Sequence, residues 1–440
     1  MADAPTTSSS VPPHPALSGA VLLLLAVLPV GHLLSLPVGG ALATATDLVT
    51  GAVAVGFVVA VLGRGAVRAP LVAAFRGSPG TPARSFLMGC GVLTLFAIWV
   101  AASGQWGYHA GYAVAKGLAV AGLVAAAAAI AFSNTSWHAA VDAWLIGTGL
   151  ALFVTFAGVF GPDILGLRLV YSGGGILGID LPRIRGPWLH PNMMADHLLV
   201  SAVLLWGRWP ALVGRGRRWG LALAVGIGAG FVMTLSTAWI AAGVVLWAVA
   251  GEIRKATPAA RHGLRVLGAL VAAGVVVAVV APLDTTVFGH TVATSGLRPA
   301  IWRASLDAIA AGPVVGVGAS PFLAEAPDPF QGGALVLWDA HNAFLSVLGQ
   351  FGLIGAALLA VGLGYAVVAP VRSLPAGRVR GTLILAWTGV AIHSLFLASE
   401  DLRHVWLLVG LTGLAAVKGA GGVPEAGSAS GSDQPGPSPG

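Results

Sequence analysis

The chain has 440 residues, 57% of them hydrophobic and 9% charged, with a formal net charge of +7. Soluble domains carry about 25% charged residues, so a water-soluble fold could not clothe its surface with this composition. The single cysteine, Cys90, excludes an internal disulfide or a cysteine metal cage, and apolar runs without alternation (21–30, 221–230) argue against an outer-membrane barrel.

In chain order, residues 1–15 are polar, Ser/Pro-rich and free of Lys and Arg, and are expected to form a disordered cytoplasmic N-terminus. The apolar run that follows is too long for a signal-peptide core and reads as a first membrane span. A span needs about 20 residues, because each rises 1.5 Å through a hydrocarbon core of about 30 Å. The expected spans are 16–38, 41–62, 86–103, 109–132, 139–160, 192–207, 219–234, 236–250, 264–282, 342–370, 380–399 and 402–418. Residues 219–250 are also readable as one bent helix. The fold class is therefore all-α, a polytopic membrane bundle of about 12 helices over 16–418. Residues 419–440 are Gly/Ser/Pro-rich and are expected to form a disordered cytoplasmic tail.

Charge orients the bundle. With the N-terminus inside, the inner loops receive sixteen of the 23 basic residues, among them Arg64, Arg68, Arg76, Arg84, Arg208, Arg215, Arg217 and Arg218. Only Arg168, Arg183, Arg185, Arg298, Arg303 and Arg403 fall outside, and Lys116 lies within a span. The positive-inside rule then predicts a multi-pass protein of the plasma (inner) membrane, both termini cytoplasmic. The positive charge thus reads as a topology signal and a contact with membrane lipids, with no nucleic-acid partner. Two outer segments, 161–191 and 282–341, exceed what connection requires, and loops that long are usually functional or disordered. The second is expected to hold a helix near 298–311.

Three outer segments carry chemistry. Arg183-Ile-Arg185-Gly-Pro-Trp-Leu-His190-Pro-Asn192 places two cations before a proline-bounded helix start. Asn192 is a candidate cap, and a helix N-terminus favours an anion. The plainer reading is interfacial arginines and an ordinary cap. Arg298 and Arg303, flanking Trp302, suit a diphosphate because guanidinium binds phosphate oxygens bidentately. Pairing with Asp284, Asp307 or Asp328 is the structural alternative. Gly316-Val-Gly318 reads as a turn rather than a nucleotide loop. Asp339-Ala-His341-Asn342 opens the next long span: His341 is able to accept a proton near neutral pH, while a His-Asn pair also serves as a cap. No further His, Asp or Glu cluster adjoins Asp339 and His341, so no metal and no cofactor is expected. Asp196 must face the bundle interior, and Lys116, His109, Asp47 and His393 are expected at the interior or an interface. Glu400 to His404 reads as a solvated turn or an outer charge cluster.

In this order these segments resemble the bacterial O-antigen ligase/polymerase superfamily. The resemblance rests on Arg183-x-x-Gly186-x-x-x-His190-Pro191-Asn192, on Arg298-x-x-x-Trp302 with Pro313-x-x-Gly316-x-Gly318, and on His341-Asn342-x-x-Leu345 with Gly349-x-x-Gly352-x-x-Gly355. It covers mainly 160–370. It implies an inverting, metal-independent glycosyltransferase at the periplasmic or extracellular face. The donor would be an undecaprenyl-diphosphate-linked glycan, the acceptor a glycan or lipid hydroxyl. The resemblance implies His341 as base and Arg298 on the diphosphate, with Arg183, Arg185 and Arg303 assisting and His190, Asn192, Asn342, Trp302, Asp339 and Lys116 in support. One departure stands out. Thr234-Leu-Ser236-Thr237 lacks the arginine that the superfamily often carries after serine, a loss for which Arg185, Arg303 or Lys116 would compensate. A flippase or transporter of lipid-linked sugars, a non-catalytic envelope scaffold and an inactive member of the superfamily are the alternatives.

Overall fold

The computed structural model describes residues 15–30, 35–38, 41–63, 65–78, 80–107, 109–160, 169–176, 179–188, 190–234, 236, 242–243, 293–320, 324–328, 334–338, 340–398 and 402–419. The expected spans 236–250 and 264–282 fall almost wholly outside these residues, as do the expected disordered ends, 1–14 and 420–440, and Asp339.

Among the described residues the elements run α1 (Pro15–Val27), β1 (Ser35–Val38), β2 (Ala41–Thr44), α2 (Ala45–Gly63), α3 (Gly65–Arg76), α4 (Pro82–Ala102), α5 (Ala110–Phe132) and α6 (Trp137–Phe160). Then come β3 (Val170–Ile176), β4 (Ile179–Ile184), α7 (Pro191–Arg208), α8 (Gly214–Met233), α9 (Ala293–Ala311), β5 (Ala324–Asp328) and β6 (Ala334–Trp338). The chain closes with α10 (Ala343–Leu363), a π-helical turn (Gly364–Val368), α11 (Ala369–Ser373), α12 (Arg378–His393) and α13 (Arg403–Gly419). Five stretches, 46–63, 82–105, 110–132, 137–160 and 343–373, are helical, long and apolar enough to cross a membrane.

The strands form three separate antiparallel hairpins, none of which the sequence reading anticipated. The first hairpin corrects the expected span 16–38. The helix stops at Val27, two residues before Pro29, which has no N–H to continue the ladder and disfavours a helical residue before it. Val38 then pairs with Ala41 across the Gly39-Gly40 dipeptide, a strong hairpin signal. α3 was also unanticipated: it is short, contains Pro70, and exposes Arg68, Phe75 and Arg76. The expected outer helix near 298–311 is present and begins earlier, at Ala293.

α5 occupies the middle, packed on α2, α4 and α13. Its second half is nearly all alanine, and Ala126, Ala127, Ala129 and Ala131 are completely buried. Gly410 and Gly413 of α13 face that stripe so closely that a Cβ on Gly410 would lie 3.0 Å from the Ala127 Cα. Lipid offers helices no hydrophobic reason to associate, so small residues that let backbones approach supply the packing instead.

α10 is broken, and the break explains a motif. Gly352 adopts φ 63° and ψ −167°, interrupting the ladder. Four backbone groups lose their helical partners there, and the 313–318 turn satisfies all four. The N–H groups of Leu353 and Ile354 donate to the carbonyls of Pro313 and Val314 at 3.0 and 3.1 Å. The carbonyls of Gly349 and Gln350 accept from Val317 and Gly318 at 2.9 and 3.0 Å. A Cβ on Gly316 would sit 2.2 Å from the Gln350 oxygen, so only glycine admits the approach. Irregular backbone at membrane depth survives where protein satisfies it, and the Pro-x-x-Gly-x-Gly segment does so here.

Candidate functional site

α7 starts at Pro191, whose fixed φ and missing donor suit a first helical position. The cap is His190 and not Asn192. In extended conformation, its Nδ1 accepts from the Asn192 N–H at 3.1 Å. That bond leaves the ring proton of a neutral His190 on Nε2. Asn192 is buried one position further in, where its Oδ1 accepts from the Ser236 hydroxyl at 2.8 Å.

Ser236 belongs to the stretch without an arginine. An arginine reaches that stretch from elsewhere. Arg183, at the end of β4, donates from Nε to the Thr234 carbonyl at 3.1 Å. The sequence points instead to Arg185, Arg303 or Lys116 for this compensation. Arg185 is half-buried one turn before Trp188, and its backbone N–H donates to the Leu169 carbonyl at 2.9 Å. Arg303 projects from the exposed side of α9. Lys116 sits at the α10 break, with Nζ 3.4 Å from the Gln350 Oε1 and 5.5 Å from the Phe351 ring.

The second motif meets the first. The His341 ring lies 6.4 Å from the His190 ring, centroid to centroid. His341 has φ 48°, a left-handed conformation that costs a residue other than glycine about 1–3 kcal/mol. Its neighbours hold it there. Asn342 caps α10, its Oδ1 accepting from the N–H groups of Phe344 and Leu345 at 2.9 and 3.1 Å. The Asn342 Nδ2 donates to the Leu395 carbonyl at 3.1 Å, and the Ala343 N–H donates to the Ser394 carbonyl at 2.9 Å. The turn is thus stitched to the end of α12.

Arg298 lies in the first half of α9, five residues before Arg303. Trp302 is half-buried, and its indole Nε1 is buried with no hydrogen-bond partner. Asp339 lies outside the described residues. Among the described residues no three His, Cys, Asp or Glu side chains converge as metal ligands do.

Beneath the two histidines lies a cluster that the sequence reading captured in part. Asp196 is completely buried, as an acid in a span must be. Its Oδ1 is 2.7 Å from the His393 Nδ1 and its Oδ2 is 2.7 Å from the His404 Nε2. A carboxylate only accepts, so both ring nitrogens donate. Asp196 and His393 were legible as ionisable groups inside spans. His404 was missed, because its Glu-Asp-Leu-Arg-His setting reads as a solvated turn, yet it is 3% exposed. Next to it, His197 stacks on Trp144 at 5.2 Å and its Nε2 is 3.0 Å from the Thr148 hydroxyl. Asp47 also has a partner, Arg403, which donates from Nε and Nη2 at 2.6 and 2.8 Å. His109 is exposed at the start of α5.

An apolar cavity of about 370 Å³ begins at Ala343 and Phe344, just past the His341 turn, and runs between α10, α12 and α13 to Leu363 and Trp387.

No curated protein matches the chain. Residues 221–360, about a third of it, match the sequence model of the O-antigen ligase family, a stretch that includes Thr234, Arg298, Arg303, His341 and Asn342. That match supports the superfamily resemblance drawn from the sequence: residues 221–360 are similar to the O-antigen ligase family, and five apolar helices among the described residues are long enough to cross a membrane.

Proposed function

We propose that the protein is a membrane glycosyltransferase that moves a glycan from a polyprenyl-diphosphate donor to an acceptor hydroxyl at the outer face of the plasma membrane. The observation that carries the reading is the meeting of His190 and His341 beside a segment bound by Arg183. The acceptor oxygen attacks the anomeric carbon from the side opposite the diphosphate. The bond from that carbon to the diphosphate breaks as the new one forms, so configuration inverts. The hydroxyl proton passes to His341, and the diphosphate leaves with the electron pair. It is a good leaving group, so charge stabilisation matters more than acid catalysis. Arg298 and Arg183 supply that charge, with Arg185 and Arg303 assisting. The apolar cavity starting at Ala343 supports a lipid-linked substrate, since it would seat an isoprenoid chain with its head at His341.

In cells, His341→Ala and Arg298→Ala are expected to abolish surface polysaccharide while the protein still inserts in normal amount. Full polymer in both variants would contradict the reading.

A further inference from the structure

Two separate parts of α7 meet the His341 turn. Its cap, His190, faces the His341 ring at 6.4 Å. Six residues on, about 9 Å along the axis, Asp196 holds the His393 Nδ1 at 2.7 Å. His393 is the last residue of α12, and the two residues after it, Ser394 and Leu395, supply the carbonyls that bind Ala343 and Asn342. The contacts therefore form a closed circuit from His341 to His190, down α7 to Asp196, across to His393, and back through Ser394 and Leu395 to the turn. His404 holds the other carboxylate oxygen from α13, which fixes the direction of Asp196. The ring Nε2 of His393 is buried without a partner, so its bond to Asp196 is what orients it.

We infer that Asp196 is a positioning residue: through His393 it sets the end of α12, and so the placement of the His341 turn against His190. Asp196 is completely buried and both its oxygens are taken by histidines, so its influence reaches the turn through them. A misplacement of about 1 Å is enough to cost about a hundredfold in rate. The kinetic consequence rests on the reading of His341 as base; the geometric one does not.

The 440-residue chain has one cysteine, buried Cys90, so a Cys90→Ser background permits clean placement of new thiols. In that background, His190→Cys with His341→Cys is expected to be joined rapidly by a short bis-methanethiosulfonate reagent in membranes. Adding Asp196→Asn or His393→Ala is expected to slow the joining at least about fivefold. His393→Asn, whose amide nitrogen stands where Nδ1 stood, restores it. Separately, in the otherwise unaltered protein, Asp196→Asn is expected to lower kcat at least about tenfold with the donor KM within about threefold. Unchanged joining in both Asp196→Asn and His393→Ala overturns the inference. So does failure of His393→Asn to restore it, since that marks loss of packing rather than of direction. If joining slows as expected but the wild type transfers no glycan, the clamp stands and the glycosyltransferase reading falls.

Discussion

At one end of α7, Asp196 is completely buried and is met at 2.7 Å by His393 and His404. At the other end, Arg208 reaches Asp142 at 2.8 Å, and that carboxylate keeps 40% of its side-chain surface exposed. The far end also carries Arg378 over the Trp206 ring at 4.1 Å and Arg217 near Trp209 at 5.9 Å. Both ends hold paired charges, yet the physics differs. The Arg208–Asp142 pair is bidentate, with Arg208 15% and Asp142 40% exposed, so solvent screens it in part, as for an anchor of the kind expected at a membrane surface. The buried acid is tolerable only while its partners donate to it, so its surroundings are committed to one arrangement. Commitment of that kind belongs where geometry must be exact to a fraction of an ångström, and it lies directly under the His190–His341 pair.

This contrast breaks down if the two ends respond alike to substitution. The largest expected effect is on transfer. His341→Ala removes the proposed base and should cost about a hundredfold or more in rate, read as glycan moved from a lipid-diphosphate donor by purified protein. Next, His404→Ala leaves one oxygen of a buried carboxylate without its donor. It should destabilise by roughly 3 kcal/mol, measured as thermal or denaturant unfolding in detergent. Gly352→Ala tests the α10 break. A Cβ there would lie 2.3 Å from the Val314 oxygen at a φ of 63°, so a loss of at least about 1–3 kcal/mol is expected in the same unfolding measurement. The smallest effect is Arg208→Ala, which should cost less than about 1 kcal/mol. A loss there as large as that of His404→Ala would erase the distinction between the two ends.

Much of this was legible in the sequence because the signals were local. Long apolar runs marked α4, α5, α6 and α10, and Asp196 stood out as an acid inside a span. The Asn342 cap of α10 could be read from residue types alone, whereas the expected Asn192 cap of α7 gives way to His190. What escaped depends on distant pairing. Nothing around Arg183 announces that its guanidinium reaches the Thr234 carbonyl, and nothing around His404 announces Asp196. The expected solvated turn at 400–404 is not what the described part shows: Glu400 and Asp401 lie outside the described residues, Arg403 opens a helix and pairs with Asp47, and His404 turns inward to Asp196. The Gly316-Val-Gly318 segment was rightly read as a turn. Its purpose became visible only with Gly352, whose break leaves four backbone groups for that turn to satisfy. The first hairpin was hidden because the expectation of continuous spans overrode the Pro and Gly punctuation at 29–40.

The most direct measurement sets the two ends of α7 side by side in one assay. Wild type, His341→Ala and Arg208→Ala would each be reconstituted with a polyprenyl-diphosphate-linked glycan and an acceptor, and transfer measured per folded molecule. The account predicts that Arg208→Ala keeps transfer within a few-fold of wild type while His341→Ala loses about a hundredfold or more. Transfer by His341→Ala at the wild-type rate would contradict it.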